Sequence, residues 1–109
     1  STRLEQLSLE RTEITDRSLE VLAGMKELEE LDLSGTRVTD EGIASLSGLR
    51  HLKQLWLTGT MVSDEGLRHL EPLKQLELLD LSGTDASEEG VKQLRAKLPR
   101  LKETGLLFP

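Results

Sequence analysis

The sequence predicts an α/β solenoid with a short parallel sheet on its concave face and short helices on its convex face. A 24-residue pattern recurs along almost the whole chain, and the segment LDLSGT occurs twice in it, beginning at Leu31 and Leu79. Each unit joins a segment of alternating apolar residues to a segment with helical spacing. The leucines recur at positions 4, 28, 52 and 76, at 7, 31, 55 and 79, and at 9, 33, 57 and 81.

The 109 residues are predicted to form one domain, residues 1–109. Its repeats run over about 4–27, 28–51, 52–75 and 76–100, and residues 101–109 form a degenerate closing strand over the end of the core. The fourth helix should be longer than the others, because Lys97 stands where earlier repeats are apolar and Leu98 takes that role. No comparable cover precedes Leu4, and the chain begins without Met, so we expect a fragment of a longer array or an end that meets another chain.

The LxxLxL segment of each repeat predicts a strand whose leucines point inward. A Gly-Thr pair follows three of these segments, at 35–36, 59–60 and 83–84, and glycine supplies backbone angles that a turn requires. The threonine hydroxyl can bond to turn backbone groups that would otherwise be buried without a partner. We therefore predict a structural ladder of threonines: Thr12, Thr36, Thr60 and Thr84.

Each helix is predicted to begin after a Ser or Thr that is followed by an acid, at 15–16, 39–40, 63–64 and 87–88. The hydroxyl would cap the first N–H groups, and the acid complements the helix dipole. Apolar residues then recur every three positions, which predicts an inward stripe on a helix of roughly eight to ten residues. Gly42, Gly66 and Gly90 lie in the first turn, where a small residue permits close approach to the neighbouring repeat; Ser18 takes this place in the first repeat.

The charge of −6 is unevenly distributed. Residues 92–102 carry five cations and no acid, whereas the first 91 residues carry a net charge of −10. An acidic body repels phosphate backbones, so a nucleic-acid partner is not expected. The basic segment has two interpretations: cations near a helix C-terminus, where the dipole favours them, or a docking surface for an acidic partner.

The chain contains no cysteine, which excludes disulfides, thiolate catalysis and Cys-ligated zinc. This composition slightly favours a cytoplasmic location, although the compartment stays open. No signal-peptide pattern and no apolar run of membrane-spanning length occurs in the sequence, so no membrane partner is expected.

Neither an active site nor a metal or cofactor site is predicted. His51 and His69 are 18 residues apart and belong to different structural layers, with no matching carboxylate spacing that would complete a metal site. The Gly-Thr turns lack the lysine that would make a phosphate-binding loop. We therefore expect a protein that is not an enzyme.

These repeats resemble the leucine-rich repeat family, and specifically its 24-residue LxxLxLxxTxVTDxGLxxLxxL type. The chain is similar to the cysteine-containing subfamily known from F-box substrate receptors, with Thr in the Cys position, and to bacterial arrays with the GTxVTD sequence. No F-box segment is present in residues 1–109. The resemblance implies a curved scaffold that binds proteins, and it leaves the partner open.

Residues between the inward leucines face outward and form columns across the concave face. The only tryptophan, Trp56, lies in the middle of the central column, which reads Ser8, Asp32, Trp56, Asp80 and Gly105. An aromatic ring between carboxylates is the composition expected of a hot spot that receives Arg or Lys from a protein partner. The predicted binding residues are Trp56, Asp32, Asp80, Glu30 and Leu78.

Two other functions remain open at this stage. The chain could be a structural spacer or self-assembly module that pairs through its uncovered N-terminal end. Its near-consensus repeats would also suit an engineered scaffold with no natural ligand.

Overall fold

The computed structural model describes residues 4–106, and it has the predicted two-layer architecture. Four parallel strands form one sheet in sequential order: β1 (Gln6–Ser8), β2 (Glu30–Asp32), β3 (Gln54–Trp56) and β4 (Leu78–Asp80). The helices follow the strands as α1 (Asp16–Leu22), α2 (Asp40–Ile43), α3 (Asp64–Arg68) and α4 (Glu88–Lys97). Strands contact strands and helices contact helices, so the leucine core lies between the two layers.

The strand register agrees with the predicted columns. Leu7, Leu31, Leu55 and Leu79 are partners across the sheet, and so are the residues on either side of each leucine. Each strand has only three residues, so a single inward leucine anchors it. In the two central strands these leucines are fully buried.

The turns after the strands use the left-handed backbone region as predicted. Gly35, Gly59 and Gly83 have φ of 70°, 72° and 72°, and Arg11 has φ of 57° at the equivalent place in the first repeat. Each ladder threonine donates its hydroxyl to the carbonyl three residues earlier, at 2.6–2.7 Å. These bonds close the turn within each repeat: Thr12 with Leu9, Thr36 with Leu33, Thr60 with Leu57 and Thr84 with Leu81.

A Gly59→Ala substitution is expected to lower the free energy of unfolding by about 1–2 kcal/mol, the cost of placing a side chain in the left-handed region. No heavy atom lies within 4 Å of the added methyl group, so backbone conformation alone should account for the loss. Urea denaturation measures it. Gly24→Ala is the control, because Gly24 has no positive φ and its methyl group would make only ordinary contact with the Val21 carbonyl at 3.7 Å. Equal losses in both variants would contradict the prediction.

The helices differ from the predicted length of eight to ten residues. The α1 helix has seven residues, α2 has four and is followed by a 3-10 turn over Ala44–Leu46, and α3 has five. Inward residues spaced three apart fit a 3-10 turn as well as an α-helix, because residues i and i+3 eclipse in the 3-10 form. The α4 helix reaches ten residues; it buries Val91 and Leu94, and the buried Leu98 follows directly after its last residue, Lys97, four positions after Leu94.

The described part of the predicted closing segment over 101–109 forms a single bridge, between Leu78 and Glu103. The backbone N–H groups of Leu79 and Leu81 donate to the carbonyls of Glu103 and Thr104, both at 2.8 Å. Leu101 and Thr104 are buried there and cover the fourth repeat. Gly105 follows with φ of 71°, and its carbonyl accepts the Ser82 hydroxyl at 2.6 Å. Residues 107–109 lie outside the described part of the chain.

The N-terminal end of the core is less covered than the other repeats. Leu4 is 38% exposed, whereas the equivalent Leu28, Leu52 and Leu76 are 0% exposed. The residues Leu7, Leu9, Ile14 and Met25 are only partly buried. Within residues 4–106, the N-terminal end of the core therefore leaves apolar side chains partly exposed.

Candidate functional site

Carboxylates at the helix starts join successive repeats, which corrects the expectation that they serve only their own helix. Asp40 Oδ1 accepts the backbone N–H of Ser63 at 2.7 Å, and Asp40 Oδ2 accepts the Ser63 hydroxyl. We call each such Asp, together with the Ser or Thr that donates to it from the next repeat, a latch. The three latches are Asp16 with Thr39, Asp40 with Ser63, and Asp64 with Ser87.

The hydroxyl caps also differ from the prediction. Thr15, Thr39 and Ser63 occupy N-cap positions, but their side chains make no cap bond to their own helices. Ser87 alone accepts such a bond, from the Gly90 N–H at 3.1 Å. The latch carboxylates thus use the hydroxyls of Thr39 and Ser63 to connect repeats.

The helix-start glycines make room for the latches. A Cβ added at Gly42, Gly66 or Gly90 would lie closer than 3.0 Å to the carboxylate of Asp16, Asp40 or Asp64, respectively. The predicted close contact between repeats at these glycines is therefore a contact with the Asp carboxylate of the preceding repeat. Because the latches have this structural role, the recurring acids of the helical side need no catalytic explanation.

On the concave face, the central column forms as predicted over four strands, with Ser8, Asp32, Trp56 and Asp80 in register. Three of these side chains support the turn that follows them. Asp32 Oδ1 accepts the Ser34 N–H at 2.9 Å, Asp80 Oδ1 accepts the Ser82 N–H at 2.9 Å, and Ser8 Oγ accepts the Glu10 N–H at 3.5 Å. Trp56 has no acceptor atom and cannot make this bond.

The predicted binding residues lie in two groups: Glu30, Asp32 and Trp56 form one, and Leu78 and Asp80 form the other. Asp32, Glu30 and Trp56 line one open depression, together with Gln6, Leu7 and Ser8, which were not selected from the sequence. Gln6 Nε2 donates to Glu30 Oε2 at 3.0 Å and so fixes the rim of this depression. Asp80 and Leu78 lie on β4, on the opposite side of β3, where Asp80 also lies against Gly105. Gln6 and Ser8 could have been predicted from the sequence, because they lie in the same columns as Glu30 and Asp32.

The carboxylates of Asp32 and Asp80 each use only one oxygen in their turn bonds. Their Oδ1 atoms accept backbone N–H groups, whereas their Oδ2 atoms make no hydrogen bond within residues 4–106. Both side chains are half-buried, and so is Trp56 between them. The turns therefore fix the orientation of two carboxylates beside an aromatic ring.

Residues 4–106 contain no group of three or more His, Cys, Asp or Glu side chains arranged to hold a metal ion. Within the same range, no helix is both long and apolar enough to cross a lipid bilayer. His51 is exposed and His69 is half-buried, and neither lines the depression beside Trp56.

The comparisons with known proteins agree with the repeat architecture. A family model described as "Leucine Rich repeat" matches residues 26–47. No curated protein matches the chain significantly.

Among solved structures, the chain is similar to an internalin from Listeria monocytogenes, with 19% identity, a TM-score of 0.65, and 98% of this chain and 36% of that one covered. It is similar to actin-binding site 2 of leiomodin-1, with 16% identity, a TM-score of 0.75, and coverage of 94% and 70%. It is also similar to a leucine-rich repeat protein from Leptospira interrogans, with 24% identity, a TM-score of 0.59, and coverage of 89% and 30%.

The chain thus spans about a third of the length of the two bacterial structures. These likenesses establish the fold. The 24-residue sequence pattern and the family match over residues 26–47 support a leucine-rich repeat family for this chain.

Proposed function

We propose that the chain is a non-catalytic protein-interaction module whose concave face binds a partner around Trp56. One observation carries the proposal: three residues of the central column support the turn that follows them, and in the third repeat tryptophan takes their place. Ser8, Asp32 and Asp80 each support a turn. Trp56 makes no such bond and presents a large, half-buried ring to solvent. Tryptophan is enriched in the few residues that dominate protein interfaces.

The partner is proposed to present an arginine or lysine side chain. A cation above the Trp56 ring gains about 0.5–2 kcal/mol from the ring quadrupole, more as water is excluded. The free Oδ2 atoms of Asp32 and Asp80 lie on the two adjacent strands, at the usual strand spacing of about 5 Å. Glu30 and Leu78 extend the surface in the neighbouring column, where Glu30 adds charge and Leu78 adds apolar area. Leiomodin-1 offers a precedent on the same fold, since its similar segment is named as an actin-binding site.

Trp56→Ser is expected to weaken partner binding by about 2 kcal/mol or more, the usual cost of truncating a hot spot. Serine is the residue that the first repeat uses at this column position, so the fold should be retained. A partner captured from a source lysate would be titrated against the wild-type chain, the Trp56→Ser variant and a Val21→Ser control, with calorimetric detection. Val21 is a 72% exposed apolar residue on α1, away from the concave face.

Unchanged affinity of the Trp56→Ser variant, within about 0.5 kcal/mol, would contradict the concave-face proposal. Equal losses in the Trp56→Ser and Val21→Ser variants would contradict it as well. Because Trp56 is the only tryptophan, its fluorescence also reports directly whether the partner approaches this ring.

A self-assembly module remains the second candidate, and the exposed apolar N-terminal end favours it. The latches argue against two copies stacking end to end with the repeat spacing continued across the interface. Ser18 carries a Cβ where the inner repeats have glycine, and Glu88 replaces aspartate at the other end. A constant monomer mass in sedimentation experiments over a wide concentration range would exclude the second candidate. The spacer and engineered-scaffold alternatives predict no specific partner at all.

A further inference from the structure

A second surface of the chain has the opposite charge to the concave face. Six cationic side chains lie at the C-terminal end of α4 and around it, and we call them the basic surface: Lys74, Lys92, Arg95, Lys97, Arg100 and Lys102. All six are exposed. Two hydrogen bonds join four of them in pairs, because Lys74 Nζ donates to the Lys97 carbonyl at 2.9 Å and Arg95 Nη2 donates to the Lys102 carbonyl at 3.3 Å. Lys92 lies three residues before Arg95 on α4, a spacing that places both on one helix face, and Arg100 lies two residues before Lys102 in the sequence.

The repeat architecture does not require this charge. The positions equivalent to Arg95 in the first three repeats hold Ala23, Ser47 and Glu71. Those equivalent to Lys92 hold Glu20, Ala44 and Arg68. The positions therefore tolerate neutral and acidic residues without loss of the fold, and the concentration of cations belongs to the fourth repeat alone.

The chain's own structure accounts for only part of the basic surface. Arg95 and Lys97 lie in the last turn of α4, where the helix dipole favours cations, and Lys74 and Arg95 bond to backbone carbonyls. Lys92, Arg100 and Lys102 have no side-chain hydrogen bond or ion pair within residues 4–106. Glu88 is four residues before Lys92, a spacing that permits an ion pair, yet the two side chains do not form one.

We propose that the basic surface is a second docking site, which binds an acidic segment of a protein partner. Charge complementarity supports a polyanion as the occupant, and two observations favour an acidic peptide over other polyanions. The first 91 residues carry a net charge of −10 and repel the extended phosphate backbone of a nucleic acid. The large apolar side chains that are exposed among the described residues, Leu4, Val21 and Met61, belong to the first and third repeats, so within residues 4–106 no exposed large apolar side chain accompanies the basic surface as a membrane anchor would.

This site is independent of the proposed site around Trp56. A chain with both sites would bind a cationic group on its concave face and an acidic segment at its C-terminal end. Such a module would act as an adaptor between two partners.

The test compares two triple variants with the same net charge. Lys92→Glu, Arg100→Glu and Lys102→Glu together reverse the three cations that have no structural partner. Arg17→Glu, Arg37→Glu and Arg50→Glu reverse three exposed cations elsewhere on the chain. The probe is a short fluorescein-labelled polyglutamate peptide, and its binding is followed by anisotropy at low ionic strength and at about 0.15 M salt, where charges are screened beyond about 8 Å. Circular dichroism checks that both variants are folded.

We expect the basic-surface variant to bind the peptide at least about tenfold more weakly than the control variant, and added salt to reduce the difference. Equal weakening in the two variants would overturn the proposal, because general repulsion by net charge would then explain the data. The absence of peptide binding by the wild-type chain at low ionic strength would also overturn it. So would tighter binding of single-stranded DNA, or of vesicles with anionic lipid, than of the peptide. The Trp56→Ser variant should bind the peptide like the wild-type chain.

Discussion

Replacing Leu55 by alanine is expected to lower the free energy of unfolding by about 2–5 kcal/mol, the range measured when a buried leucine is truncated. Leu55 is the inward residue of β3, is 0% exposed, and has Leu31 and Leu79 as its partners in the adjacent strands. A cavity at this point would remove contacts with repeats on both sides. Denaturant unfolding followed by circular dichroism measures the loss.

Leu7→Ala is the matched control because Leu7 has the same place in the first repeat but a neighbour on one side only. Leu7 is partly buried, so truncation there should cost less than half as much as at Leu55. Equal losses in the two variants would show that something covers the N-terminal end in solution. If the loss at Leu7 then depended on protein concentration, that cover would be a second copy of the chain.

The strands and their register could be predicted because each repeat places the same leucines at the same offset. A one-residue shift would move Leu31 or Leu55 to the solvent side, so the period of 24 fixes the pairing. The central column around Trp56 follows from this register, and it could be read without any knowledge of the loops.

The helix lengths could not be predicted from the inward spacing alone, because a step of three residues is compatible with both α and 3-10 geometry. The residue two positions after the second inward residue of each helical segment indicates where the helix ends. The first three repeats have Gly24, Gly48 and Pro72 there, which are poor helix formers, whereas the fourth has Ala96. Only α4 continues through this position, and it ends at Lys97.

For a different reason, the latches could not be predicted from one helix start alone. The helix dipole alone accounts for Asp40 at the start of α2, and it gives no indication of the contact with Ser63, 23 residues later. The signal was present in the sequence as a recurring set of Ser or Thr, Asp and Gly at fixed offsets. Such a set indicates a contact between repeats when the glycine lies opposite the acid. The turn-supporting bonds of Asp32 and Asp80 could not be predicted either, because an outward-facing carboxylate on a sheet is equally compatible with partner binding.

Removing one latch is expected to have the second large effect on stability. In an Asp40→Ala variant, the Ser63 N–H and hydroxyl lose both of their carboxylate partners. Leaving a buried or half-buried donor without a partner costs about 1–3 kcal/mol, and two donors are affected here. We therefore expect a loss of about 2–4 kcal/mol in the free energy of unfolding, measured by urea denaturation.

Gly66→Ala tests the same latch from the other side. The alanine Cβ would overlap the Asp40 carboxylate and approach the Val62 side chain at 3.0 Å, so the loss should be about 1–3 kcal/mol, as for overpacking of a close-packed site. Gly24→Ala is again the control, since its added methyl group meets no side chain within 4 Å.

The Asp40→Ala, Gly66→Ala double variant decides whether the two residues act as one unit. With the carboxylate removed, the methyl group at residue 66 no longer meets it, so the double variant should lose less stability than the sum of the two single losses by about 1 kcal/mol or more. Additive losses would show that the carboxylate does not occupy the space beside Gly66 in solution. A coupled result would establish that the Asp40 carboxylate of the preceding repeat favours glycine at position 66.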